Sequence, residues 1–249
     1  MAVKVYNSIL MQQVMRSHAV SNAVKPIAQK AAQQKFKAAQ KKAVRYFNSH
    51  PVTKEIEIGG DAPNMSGTLH FPEAAKKGNL YSFIGFKGAK STNMSGLRLL
   101  FTTYARVKWK SPRTIKMGNA IVYRFNTKIP NMTAFHQITP MPWPEGGQSW
   151  AQKVETGFSN LHYYKYKKGI DGSRSGYAIQ LEKWGVYLPG SYYKPVGYLS
   201  PIVAWWHKEI KRPVHMDATA IAAGTAIKEL TGGAMPVRPG EGGWRRPLG

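Results

Sequence analysis

The run VKPIAQKAAQQKFKAAQKKAVRYFNSHPVTKEIEI, Val24 to Ile58, decides the fold, because its two ends follow different periods. In its first part the apolar residues Val24, Ala28, Ala31, Phe36, Ala39, Ala43 and Phe47 recur at close to helical spacing. Pro26 stands near the start, and Asn48, Ser49 and Pro51 form the stop. The reading is an amphipathic helix. Beyond Pro51, Ile56 and Ile58 alternate with Glu55 and Glu57, which reads as a strand with a solvated acidic face.

From Val52 to Val122 the runs VTKEIEI, SGTLHF, NLYSFIGF, RLLFTTYARVKW and AIVYRFNTKI are β-branched or aromatic and punctuated by Gly, Pro and Asn. They predict antiparallel strands. The tetrapeptide NMSG occurs at Asn64 and again at Asn93, but turn chemistry explains it without a duplication. KIPNMTAFHQITPMPWPEGG reads as a loop or an arm. SWAQKVETGFSNLHYY returns to helical spacing through Trp150, Val154, Phe158 and Leu161. In YLSPIVAWWHKEIKRP, Ser200 is the expected N-cap, Pro201 the first helical residue, and Ile202, Trp205, Trp206 and Ile210 the packing stripe. DATAIAAGTAIKEL predicts a small-residue helix, and AMPVRPGEGGWRRPLG a tail. The expected fold class is α+β: a long N-terminal amphipathic helix, an antiparallel β-sheet and C-terminal helices. The expected organisation is an arm or short helix over 1–23, a single α+β domain over 24–232 and a flexible tail over 233–249.

Charge is the strongest functional signal. Lys and Arg number 36 against 12 Asp and Glu, giving a net charge of +24 over 249 residues. No acid precedes Glu55, and a second acid-free span lies between Glu73 and Glu145. A field this positive calls for a polyanion or an acidic protein surface as partner. On the first helix Lys30, Lys35, Lys37, Lys41, Lys42 and Arg45 lie largely off the apolar stripe, as a solvated face or as a contact surface. Lysine acts as a point charge without the planar fork that reads guanine, so base-specific recognition is not expected.

Signs of catalysis are weak. GFKGAKST, Gly85 to Thr92, invites comparison with a phosphate-binding loop, but its glycines stand too close together and Ala89 separates Gly88 from Lys90. Its expected context, a strand followed by another β-rich run, is also wrong for that motif. The seven histidines, 18, 50, 70, 136, 162, 207 and 215, include no pair at helical metal-site spacing. Carboxylates are too few to supply a two-metal site readily, and without cysteine there is no thiolate site or disulfide. The reading is a non-enzyme with no catalytic, cofactor or metal site. No apolar run reaches the ~18 residues of a membrane span, so no membrane partner is expected. The absence of cysteine agrees with synthesis in a reducing cytoplasm, where the sequons at Asn64, Asn93 and Asn131 carry no meaning. Tyr163, Tyr164 and Tyr166, interleaved with Lys165, Lys167 and Lys168, suit either stacking on single strands or a Tyr-rich protein interface.

The order PVTKEIEIGG, NMSGTL, GNLYSFIGFKG, then WAQKVETGFSNLHYYKY, GSRSGYAIQ and GYLSPIVAWW resembles the neck or tail-completion proteins of tailed bacteriophages. The motifs run from about Phe47 to Trp206. This resemblance implies a structural virion protein without an active site, made in the bacterial host's cytoplasm and packed in the neck between head connector and tail. It makes Gly85 to Thr92 the end of a strand and its hairpin loop. A ring homo-oligomer is expected, because one subunit cannot surround a DNA conduit. Neighbouring head-connector and tail proteins are the expected partners, and non-specific DNA contact is left open. Arg174, between small residues in GSRSGYAIQ, is either a subunit contact or a solvated loop arginine. The alternative is an RNA-binding ribosomal or nucleoprotein component, for which the charge and the Tyr/Lys cluster suffice.

Overall fold

Alanine, lysine and glutamine are good helix formers, and in the computed structural model they carry one helix of 32 residues, α1, His18–Ser49. The structure describes residues 2–6, 18–70, 78–87, 94–104, 106–117, 120–142, 147–158, 164–166, 169, 172–176, 178–180 and 192–217. Buried along α1 are Val24, Ala28, Ala32, Phe36, Ala39, Ala43 and Phe47. Ala32 replaces the expected Ala31, since four-residue steps from Ala28 to Phe36 keep the stripe on one side. Pro26 lies inside the helix, not at its start.

The strand β1, Ala2–Tyr6, precedes α1, and α2, Pro51–Ile58, comes directly after it. Next come β2 (Leu69–His70), α3 (Leu80–Ile84) and α4 (Met94–Leu99), which widens into a π-helical turn over Leu100–Tyr104. The long strands β3 (Arg106–Met117) and β4 (Ala120–Lys128) lead to α5 (Met132–Gln137) and α6 (Trp150–Thr156). Three short strands, β5 (Tyr164–Tyr166), β6 (Ala178–Gln180) and β7 (Tyr192–Tyr193), precede α7 (Leu199–Lys211) and β8 (Val214–Asp217).

These elements fall into two units. The first holds the described residues of Met1–Gln33, Trp109–Phe125 and Pro213–Gly249. It is built on a four-stranded sheet of order β3-β4-β1-β8. β1 runs antiparallel to β4, with Ala2 opposite Arg124 and Tyr6 opposite Ala120, and parallel to β8, with Val3 opposite Val214. An antiparallel sheet is thus present, with one parallel edge that was not expected from the sequence. Val122 and Tyr123 point to opposite faces and both are buried, as suits a strand inside the sheet order.

The second unit, Gln34–Lys108 and Asn126–Arg212, is built on aromatic packing. Phe36 meets Trp206 at 6.4 Å between ring centroids, and Trp206 meets Phe101 at 5.7 Å. Phe101 contacts Phe47 at 5.2 Å and Phe135 at 4.9 Å. Phe47 stacks on Tyr198, which continues through Trp150 to Phe86 and Tyr81. One connected set of rings therefore joins α1, α3, α5, α6, α7 and the π-turn, at favourable tilted and edge geometries.

Several expected strands are helices. VTKEIEI is α2, started by His50 as N-cap and Pro51 as first residue. Its helical period buries Val52, Thr53, Glu55 and Ile56 and leaves Ile58 exposed, so the expected solvated Glu55–Glu57 strand face does not exist. NLYSFIGF is α3, bracketed by Asn79 and by Gly85, whose φ of 80° is the left-handed closing conformation. The buried Asn79 accepts from Ser82 N–H at 2.8 Å and donates to Gly60 and Ala62 carbonyls at 2.7 and 2.8 Å. RLLFTTYARVKW divides into the end of α4, the π-turn and the start of β3, while AIVYRFNTKI is β4 as expected. NMTAFHQ, read as loop, holds α5, capped by Asn131. The α6 helix is confined to Trp150–Thr156, and within the same predicted helix Tyr164 begins β5. Residues 88–92 of the Gly-rich stretch lie outside the described residues. The elements on either side of them are the helices α3 and α4, so the expected strand-loop-strand context is wrong at both ends. The predicted helix beyond Asp217 and the tail lie outside the described residues.

Candidate polyanion and partner surface on the long helix

Lys37, Lys41 and Arg45 succeed one another at four-residue steps, which rotates each by about 40° and advances it by about 6 Å. They form one stripe opposite the buried side of α1. All three are exposed, and among the described residues none has an ion-pair partner. Lys30, on the part of α1 that belongs to the first unit, is exposed as well. Because α1 carries no acid, nothing on the helix itself screens this stripe.

Lys35 and Lys42 lie on the flank towards α7 and have internal tasks. Lys35 Nζ donates to the carbonyl of Arg212, just past the end of α7, where helix carbonyls lack helical partners. Partial burial lowers its pKa, with Glu209 opposing and Arg212 adding to that shift. Lys42 Nζ stands 5.7 Å from the Tyr46 ring centroid and 5.2 Å from that of Trp205, within cation–π range of both.

Tyr46 and Trp205 meet edge to face at 5.1 Å and open onto a cleft of about 420 Å³. Pro51, Pro201 and Ile202 give it apolar walls. Its polar lining is engaged internally: Ser49 Oγ donates to the Tyr46 carbonyl at 3.2 Å, and His50 Nδ1 accepts from Val52 N–H at 3.3 Å. His50 Nε2 lies 3.1 Å from the Gly197 carbonyl. Nδ1 accepts, so Nε2 carries the proton and the ring is neutral. Burial pushes its pKa down, against the Gly197 carbonyl and Glu155, which pull it up.

Glu155 and Glu55 fix the frame behind this surface. Glu155 on α6 accepts from the backbone N–H of Tyr198 at 3.0 Å, from that of Ser200 at 2.7 Å and from the Ser200 hydroxyl. It caps α7 from a distant part of the chain. Ser200, the expected N-cap, lies inside α7 and donates to Glu155 instead. Glu55 is buried, and accepts from the N–H groups of Ser66 at 2.7 Å and Leu80. Burial raises its pKa, opposed by these hydrogen bonds.

Of the residues singled out from sequence, Lys30, Lys37, Lys41, Lys42 and Arg45 are exposed on α1, and Lys35 is tied to α7. Arg174 is exposed, and its Nη1 donates to the Pro142 carbonyl at 2.9 Å. Nothing in its contacts brings it to the α1 stripe. Sequence reasoning missed Tyr46, His50 and Glu155. Tyr46 was findable as an aromatic falling off the apolar stripe; Glu155 carries no local signal, because its partners are over forty residues away. The Tyr163–Lys168 cluster is described only at Tyr164–Tyr166, as the backbone of β5 paired with β6.

Among the described residues no three His, Asp or Glu side chains converge as a metal-ligand set, and no helix is long and apolar enough to cross a membrane. Comparison with protein-family models, with curated proteins and with solved structures gives no match for this chain.

Proposed function

We propose that this chain is a structural subunit of a tailed-phage neck, assembling as a ring between head connector and tail and using the basic side of α1 to meet an acidic face of a neighbouring ring. The observation that carries this reading is the exposed Lys37, Lys41 and Arg45 stripe on an acid-free helix that is anchored by an aromatic core along its opposite side. A stripe set on a rigid helix is suited to holding a fixed partner surface. The motif order that resembles neck proteins supports the same reading. A joint through which DNA later slides gains little from gripping the duplex, which favours an acidic protein partner over DNA for this stripe.

The test is the size of the purified protein by sedimentation, with its nucleic-acid content read from absorbance before any nuclease treatment, together with imaging of the assembled particle. A ring free of nucleic acid, located at the head–tail joint, supports the proposal. A monomer that copurifies with RNA overturns it in favour of a nucleoprotein component.

A further inference from the structure

The cleft between the C-terminal end of α1 and the start of α7 combines two features that are separable in principle but adjacent here. One is a pair of aromatic rings, Tyr46 and Trp205, with Tyr46 exposed to 38% and Trp205 partly so. The other is positive charge: Lys42 stands over both rings, at 5.7 Å from the Tyr46 centroid and 5.2 Å from that of Trp205. Lys208, one turn along α7 from Trp205, is exposed as well. The nearest acid on α7, Glu209, is engaged by Arg212 at 2.9 Å.

The polar groups lining the cleft, Ser49 and His50, are engaged within the protein, so hydrogen-bond readout of a ligand by them would cost existing bonds. The cleft offers ring surface, apolar walls and positive charge. This is the chemistry by which proteins hold unpaired nucleic acid without regard to sequence: bases lie against aromatic faces while cations track the phosphates.

We infer that the Tyr46–Trp205 cleft is a binding site for single-stranded nucleic acid, which sets a base against the rings and its phosphates beside Lys42 and Lys208. The site recognises an unpaired base as such, and duplex is excluded from the cleft because its bases are stacked on each other. The site does not depend on ring assembly: a monomer would carry it as readily as a ring.

The experiment measures fluorescence anisotropy of labelled oligo-dT, of a duplex of equal length and of polyglutamate, at low salt, with the full chain. Tyr46→Ala is the first variant, because its side chain is exposed and its loss leaves the core intact; Trp205→Ala and Trp205→Phe come next, each checked by its melting temperature. The expected result is that each alanine variant weakens oligo-dT by about tenfold, that Trp205→Phe keeps most of the affinity, and that duplex and polyglutamate change by less than about twofold. Unchanged oligo-dT affinity in Tyr46→Ala would overturn the inference. So would an equal loss for polyglutamate, which would make the cleft a docking point for an acidic protein, or an equal loss for duplex, which would make the effect one of charge alone.

Discussion

His50 has two ring nitrogens and two internal partners, and the arrangement holds only while the ring is neutral. Protonating Nδ1 sets a donor against the Val52 N–H and removes the N-cap of α2. Its pKa is lowered from the ordinary 6.5, so the unfolded chain binds the proton more readily than the folded one. The contribution of this residue is complete above about pH 6.5 and is lost as pH falls through the lower folded-state value. Urea unfolding between pH 5 and 8 should therefore show stability rising with pH, with a smaller rise in His50→Asn, which keeps a cap without the titration. An identical pH slope in the variant would show that other groups carry it. Trp206 and Trp205 separate just as cleanly. Trp206 is fully buried against Phe36 and Phe101, and Trp206→Ala should cost about 3 to 5 kcal/mol. Trp205 keeps one ring contact at the cleft, and its loss should cost about 1 kcal/mol. Both are read from the denaturation midpoint.

At the level of elements, α7 is started by a carboxylate from α6. Glu155→Ala leaves the Tyr198 and Ser200 N–H groups without that acceptor at the positive end of the helix, and should cost about 1 to 3 kcal/mol in equilibrium unfolding. A neutral result would mean that water replaces the carboxylate. A cap of this kind leaves no trace in local sequence. The stripes of α1 and α7 were legible because three- and four-residue periodicity is a local property, and β4 was legible as a continuous β-branched and aromatic run. VTKEIEI and NLYSFIGF were misread because their β-branched and aromatic residues suggest strands only weakly, and the surrounding packing decides. The cap residues were visible in both: His50 with Pro51 in the first, Asn79 with Gly85 in the second. They outweigh composition in segments of five to eight residues. The basic stripe of the candidate site was legible for the same reason as α1. Its aromatic end was not, since it needs Tyr46 and Trp205 brought together across 159 positions.

For the whole molecule, the charge of +24 is far more than the chain's own acids offset. Changing Lys37, Lys41 and Arg45 to Gln together leaves the buried side of α1 intact. The neck reading expects loss of assembly with the neighbouring ring and little change in melting temperature. Intact head-to-tail joining together with lost duplex binding would show that the stripe serves DNA. In that case the dependence of binding on salt should become shallower by about 0.9 in log–log slope for each phosphate contact removed. Lys35 is left out of this set because it holds the end of α7, and its removal would confuse partner contact with stability.

The π-turn at Leu100–Tyr104 bears on how this chain tolerates changes in length. Gln40 Nε2 donates to the carbonyls of Phe101 and Thr102 at 2.8 and 2.9 Å, and Thr102 Oγ1 donates back to that of Arg98 at 2.8 Å. A π-turn is an α-helix holding one residue too many, and here side chains occupy the carbonyls that the widening exposes. Deleting a single residue between 100 and 104 would rewind the turn as regular α-helix and remove the freed carbonyls of Phe101 and Thr102 that Gln40 holds. Phe101 lies within this turn and faces Phe47, Phe135 and Trp206, so rewinding the turn would disturb an aromatic keystone in its socket. Length at this point is therefore as tightly specified as residue identity is in the core, and a one-residue deletion here should harm folding more than deletion of the exposed Pro63.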